Sequence, residues 1–240
     1  MMRLCIIGNS HTGALKRAWD NLIEPSIKNK VEISFFASRG HGLKGLCLEG
    51  KSLVANNEAL KKNLEFTSNG KHDINLTRYD FFLIYGLFAP YYTNDKFYSS
   101  DVIEHSLRDH FCSAFGYTLM TMVRSATDRK IFLDPRPLPV NPNGDEGNFS
   151  SILSAHYSGG IKLANEKIFL PLNSELIHQP SQTLVGNNRH THSKFSKGSK
   201  RLDEWNSEKS APHPAEDLRH MNDQFGKIWL ESFFKRLNIK

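Results

Sequence analysis

Two runs of consecutive apolar residues, Leu4-Cys5-Ile6-Ile7 and Phe81-Phe82-Leu83-Ile84, lead within two residues to a glycine, Gly8 and Gly86. A strand with one wet face alternates apolar and polar residues, whereas a run without polar positions is a strand covered on both faces. Such strands belong to a parallel sheet lying between two layers of helices. Further strands are expected at Val31–Ala37, with Val31, Ile33 and Phe35 on one face, and at Lys130–Asp134, halted by Pro135 and Pro137. A fifth is expected at Lys167–Leu170.

Helical spacing fills the gaps. Leu15, Ala18, Trp19 and Leu22 recur on one helix face, Ser10 or Thr12 can cap its first turn, and Pro25 stops it. A long helix is expected over Val102–Val123, and a last one from about Asn222, striped by Phe225, Ile228, Trp229, Phe233 and Leu237. A small hairpin over 46–54 and a short helix over 57–64 come between the second and third strands. Strands alternating with helices predict an α/β chain: a three-layer α/β/α sandwich with a flavodoxin-like, mostly parallel sheet of about five strands. At 240 residues the expectation is one domain over 1–240, with a long polar connection at about 171–216.

Composition removes several functional classes. The chain is 39% hydrophobic, 11% aromatic and 23% charged, which is ordinary for a folded protein, and no stretch approaches the ~20 apolar residues of a membrane span. Three cysteines (Cys5, Cys47, Cys112) without paired spacing fit a reducing compartment, so the cytoplasm is expected. The formal charge is +6, but Gly186–Ser210 alone holds six cations against three anions. A charge excess concentrated in one loop reads as a solvated face, so neither nucleic acid nor a membrane is an expected partner. His190-Thr191-His192 and His213 near His220 invite a metal reading, but two His one residue apart in a basic loop, with no neighbouring Cys or acidic ligand at a recognised spacing, are a weak signal, so no metal and no cofactor is expected.

In open parallel sheets the chemistry sits beyond the carboxyl ends of the strands. That rule selects Asn9, Ser10, His11 and Thr12 after the first strand, Arg39 and Gly40 after the second, and the segment from Gly86 to Tyr92 after the third. Ser10 stands where a buried strand turns into a helix, so its hydroxyl points out of the sheet near the helix's positive end. A serine hydroxyl attacks only when a base removes its proton and a third group orients that base. Asp217-x-x-His220, just before the last helix, offers both. His11 is expected to turn into the packing between sheet and helix, away from Ser10.

The blocks Ile7-Gly8-Asn9-Ser10-His11-Thr12 and Asp217-Leu218-Arg219-His220-Met221-Asn222, the latter followed by Phe225-Gly226, resemble those of the SGNH hydrolases, the superfamily of the GDSL esterases and lipases. The resemblance implies Ser10 as nucleophile, His220 as general base and then acid, and Asp217 as the orienting carboxylate, with ester hydrolysis through an acyl-enzyme. It also implies an oxyanion hole from the amides of Ser10 and Gly40, with Gly42 in reserve, and a third donor near Gly86. The family's Gly-x-Asn block here reads Gly86-Leu87-Phe88, so Phe88 stands where the donor asparagine is expected. Loss of such a donor costs roughly 100- to 1000-fold in rate; Asn9, Asn94 or an amide near Leu87 are the candidate replacements.

Asn9, Tyr91, Tyr92 and Arg136 are the expected substrate contacts: the tyrosines by stacking on a sugar ring, the arginine by reaching an anionic group. The leading expectation is therefore a serine esterase for a small ester, such as an O-acetyl group of a carbohydrate. Two alternatives stand beside it. Gly8–Gly13 has the Ser, Thr and Gly character of a flavodoxin-type phosphate loop that would hold a mononucleotide, and the missing asparagine fits a catalytically weakened, carbohydrate-binding relative.

Overall fold

The computed structural model describes residues 1–240 except 93–97, 146–151, 187, 202–210 and 240, and the backbone alone of 152–156. The elements run β1 (Met2–Gly8), α1 (Thr12–Asn21), α2 (Pro25–Lys28), β2 (Val31–Ala37), β3 (Leu46–Glu49), β4 (Ser52–Ala55), α3 (Glu58–Ser68), β5 (Asp73–Asn75) and β6 (Phe81–Tyr85). They continue with α4 (Ser100–Cys112), α5 (Phe115–Ala126), β7 (Lys130–Asp134), α6 (Ile152–Ala164), β8 (Ser174–Leu176), β9 (Leu184–Val185), β10 (His190–Thr191) and α7 (Asp223–Arg236).

Five strands form one parallel sheet in the spatial order β2-β1-β6-β7-β8. Counted along the chain within this sheet, that is 2-1-3-4-5, the flavodoxin-like order. The register aligns the strand ends: Gly8 lies between Ala37 and Tyr85, and Tyr85 lies beside Asp134. All the loops that can carry chemistry therefore leave from one rim.

The two apolar runs behave as strands covered on both faces. Leu4, Ile6, Leu83 and Phe132 point into one core with Ala14, Leu15, Ala18, Trp229 and Phe233 of α1 and α7. Cys5, Ile7, Phe82, Ile84 and Ile131 point into the other with residues of α3, α4, α5 and α6. The result is a three-layer α/β/α sandwich, with a small antiparallel sheet β3-β4-β5 beside it. Among the described residues, no helix is long and apolar enough to cross a membrane.

Three expectations need correction. Val102–Val123 is two helices: the chain breaks at Ser113-Ala114, where Ala114 is extended (ψ 142). In one continuous helix, Phe111 and Leu119 would be turned about 80° apart at about 100° per residue. The break lets both face the same core.

Lys167–Leu170 is helical, and the fifth strand is Ser174–Leu176. Ile168 and Phe169 are adjacent and both buried in the same core, whereas successive residues of a strand face opposite sides of the sheet; Asn173 then reverses the chain at φ 47. The outer edge of β8 is satisfied by the Asn165 side chain, which accepts from the Leu176 amide (2.7 Å) and donates to its carbonyl (2.8 Å).

The described part of 171–216 also has its own structure. Beyond β8, Gln179 sits buried among Thr183, Thr191 and the Leu138 amide, at 2.9 Å from each, and ties this stretch to the segment after β7.

Candidate active site

Two helices bring the ends of the chain together. Ser10 lies in the turn from β1 into α1, and His220 lies just before α7; α1 and α7 pack side by side on the same sheet face. Gly226 makes that close approach feasible, because a Cβ there would fall 2.1 Å from the Ala14 carbonyl oxygen and 3.0 Å from the Ala18 Cβ. Arg17, buried on α1, donates to Asp223 in the first turn of α7 at 2.7 Å and fixes the pair lengthwise.

Asn222 locks the loop that precedes α7. Its side chain caps the Phe225 amide (3.1 Å) and donates to the Lys194 and Lys197 carbonyls, each at 2.9 Å.

The half-buried Ser10 Oγ lies 2.9 Å from His220 Nε2, across 210 residues of sequence. His220 Nδ1 lies 2.7 Å from Asp217 Oδ2, while Asp217 Oδ1 accepts from the amides of Arg219 (2.8 Å) and His220 (3.0 Å). An ionised carboxylate only accepts, so the Nδ1 proton belongs on His220 and the Nε2 lone pair faces the serine. Burial opposes ionisation of Asp217, but the two amides and the His220 ring outweigh it and hold its pKa at about 2.

His220 stacks with two other imidazoles: His213 at 4.1 Å with planes 7° apart, and His11 at 4.9 Å and 21°. His11 therefore does not turn away from the site as the sequence reading expects; it forms a wall of the base, with its Nδ1 buried and without a partner among the described residues. Burial lowers the His11 pKa to about 3, and burial together with the charges around His220 lowers that of His213 to about 4.

Both groups have folded pKa values below the unfolded value of about 6.5, so the unfolded chain binds more protons in acid. Their contribution to stability is complete above pH 6.5 and falls with pH toward about 4 for His213 and about 3 for His11. Urea unfolding is expected to show the protein about 2 kcal/mol less stable at pH 5 than at pH 7, the share of the deeply buried His11, with a smaller, solvent-screened share from His213. A flat stability profile between those values would contradict these assignments.

His213, Asp217 and His220 each offer one ligand atom, all within 4.8 Å of one another, so they are the described residues able to hold a metal ion. However, the rings are parallel and both Nδ1 atoms face one carboxylate oxygen, at 3.4 and 2.7 Å. Parallel lone pairs do not converge on a single ion, and the arrangement fits a shared hydrogen-bond acceptor better.

Ser10 opens onto a cavity of about 410 Å³. The end of β2 and the loop after it contribute Ala37, Ser38 and Arg39; α3 contributes Asn63, Phe66 and Thr67; Arg201 and Pro214 complete the lining. Helix α3 holds that loop in place, since Thr67 Oγ1 accepts from the Ala37 amide (2.9 Å) and Asn63 donates to the Ser38 hydroxyl (3.1 Å).

The residues expected from sequence fall into two groups. Ser10, Asp217, His220 and Asn9 meet at the cavity. Gly40 lies one residue past the loop's lining and is placed there by its φ of +55. The Gly86 amide is spent on the Asp134 carbonyl at 2.9 Å and cannot serve an oxyanion. Phe88 points into the core against Phe111 and Phe169, and Asn94 is outside the described residues.

Tyr91 and Tyr92 do not line the cavity. Tyr91 packs on Phe111 and bonds Ser106 (3.1 Å), and Tyr92 packs on Tyr157. Arg136 is exposed beyond β7, where its charge reaches His11 without lining the cavity. Asn63, Phe66, Thr67, His213 and Arg201 were not among the expected site residues. The i, i+3, i+4 spacing of the first three is a legible sign that they share a helix face, and His213 stands four residues before Asp217.

No protein-family model matches the sequence, and no curated protein matches it. Among solved structures, the chain is similar over its full length, and over the full length of the other chain, to "a putative arylesterase from Agrobacterium tumefaciens str. C58", with 10% identity and a TM-score of 0.43.

Proposed function

We propose that the protein is a serine-dependent esterase of the SGNH type. The observation that carries this reading is the continuous Ser10–His220–Asp217 chain, at 2.9 and 2.7 Å, opening onto a cavity. Ser10 Oγ attacks the ester carbonyl as His220 Nε2 takes its proton, and Asp217 stabilises the imidazolium that forms. The tetrahedral intermediate then collapses, the alcohol leaves with the proton from His220, and an acyl group remains on Ser10. Water, deprotonated by the same nitrogen, attacks that acyl group and releases the acid.

The Ser10 amide is a ready oxyanion donor, because the turn's backbone bonds run from Thr12 to Asn9 and from Gly13 to Ser10 and do not use it. Asn9 supplies the place of the missing asparagine: its Nδ2 donates one proton to the Gly86 carbonyl (2.6 Å), leaving the second for the intermediate. The third donor is the amide of Gly40 or Arg39, since that of Ser38 donates to the Gly8 carbonyl (3.2 Å). A small acyl group, such as acetyl, on a polyhydroxy alcohol suits a wall with the polar groups of Asn9, Ser38 and Asn63.

The phosphate-loop alternative has less support. Ser10 is turned to His220, and the Thr12 hydroxyl is buried against Gly8 rather than facing a ligand. The test is covalent labelling: an alkyl fluorophosphonate is expected to modify Ser10 stoichiometrically, located by peptide mass spectrometry. A protein left unlabelled, and inert toward p-nitrophenyl acetate, would leave the weakened, carbohydrate-binding reading in its place.

A further inference from the structure

A base at His220 works only while its Nε2 faces Ser10, and a histidine ring has no deep torsional well of its own. Rotation about the Cβ–Cγ bond is broad, so the plane of the imidazole is set by what bonds its edge and what covers its face. Asp217 bonds the edge at Nδ1 (2.7 Å). Of the two rings stacked with it, His213 is the closer and the flatter, at 4.1 Å and 7° against 4.9 Å and 21° for His11. At that separation the rings are near van der Waals contact, and turning His220 out of its plane would drive its edge into His213.

His213 is itself built into a stiff segment. Its amide donates to the Ser199 carbonyl (2.9 Å), within a short antiparallel pairing in which Arg201 donates to the Ala211 carbonyl (2.8 Å) and Lys200 bridges Pro212. Pro212 and Pro214 flank it and restrict the backbone on both sides. The Asp217 amide returns to the Pro214 carbonyl (3.0 Å), so the stacking ring and the orienting carboxylate belong to one closed turn. The His213 side chain is only 13% exposed, and its Nδ1 lies 3.4 Å from the carboxylate oxygen that holds His220.

We propose that His213 is a positioning residue for the base: its ring, laid flat on His220, holds the imidazole in the plane that aims Nε2 at Ser10. The effect on turnover rests on the esterase reading, whereas the ring geometry can be measured without it. A flat aromatic neighbour also suits the charge that comes and goes on His220. When the base takes the serine proton it becomes a cation, and an uncharged aromatic face beside a cation is favourable. Burial, with the charges around it, keeps His213 uncharged at neutral pH.

His213→Ala is expected to lower kcat for p-nitrophenyl acetate about 20-fold with KM within about 3-fold of wild type, because a misaligned base costs rate rather than binding. His213→Phe returns a flat ring without the nitrogens and is expected to bring kcat back to within about 3-fold of wild type. Nuclear magnetic resonance of protein labelled in its histidine rings reads the His220 Nδ1 proton directly, identified by its loss in His220→Gln. Near neutral pH it is expected as a slowly exchanging resonance in the wild type and in His213→Phe, and broadened away in His213→Ala. Circular dichroism checks that the alanine variant is folded; if it is not, His213→Leu, which fills the space without a flat face, takes its place.

A ring proton absent from the wild type, or unchanged when the flat ring is removed, overturns the positioning role. An equal fall of kcat in the alanine and phenylalanine variants overturns it too, since the nitrogens rather than the ring face would then matter. A ring proton that behaves as expected, in a wild-type protein that neither turns over the ester nor takes the fluorophosphonate, upholds the positioning and rejects the esterase reading instead.

Discussion

Ser10→Ala is expected to abolish esterase turnover, with kcat falling about a million-fold, the scale on which triad enzymes lose rate when the nucleophile is removed. No other described hydroxyl takes its place: Ser38 is held by Asn63 and Thr12 is buried beneath Gly8. The fold should survive, because the removed oxygen bonds His220 at the edge of a cavity and bears no part of either core. Thermal unfolding and circular dichroism are expected to match the wild type to within about 1 kcal/mol. A folded Ser10→Ala protein that keeps even a hundredth of the activity would show that the hydroxyl is not the nucleophile.

Gly226→Ala is expected to be the most damaging small substitution for stability. One added methyl would lie 2.1 and 2.6 Å from the Ala14 carbonyl oxygen and carbon. These are backbone atoms of a packed helix and cannot rotate aside, so α1 and α7 must separate. Overpacking of this kind costs about 3 kcal/mol, which lowers the melting temperature by roughly 6 to 12 °C for a chain of this size.

The same separation draws Ser10 and His220 apart, since each helix carries one of them at its start. Activity measured well below the melting temperature is therefore expected to fall as well, by about tenfold or more, because a displacement near 1 Å costs on the order of 100-fold. A variant as stable as wild type would mean that the helices are not held this closely.

The sandwich was legible from the two apolar runs, because a strand without polar positions needs cover on both faces, and the register of β1 and β6 provides it. The fifth strand was not legible. Ile168 and Phe169 make an apolar signal in a helical turn, while β8 is three residues long and owes its place to pairing with β7 and to Asn165. Similarly, the continuous stripe from Val102 to Val123 conceals a break that only the shared core explains.

By itself the sequence determined which groups can do chemistry: a serine at the strand-to-helix turn and an Asp-x-x-His block, both set by short-range spacing. Only the tertiary structure decided what surrounds them. The His11–His220–His213 stack, the lining by Asn63, Phe66 and Arg201, the loss of Gly86 as a donor and the withdrawal of Tyr91 and Tyr92 all depend on contacts between segments far apart in the chain. Local periodicity records which face of an element is apolar, whereas the direction of a side chain on a loop is set by what the rest of the fold packs against it.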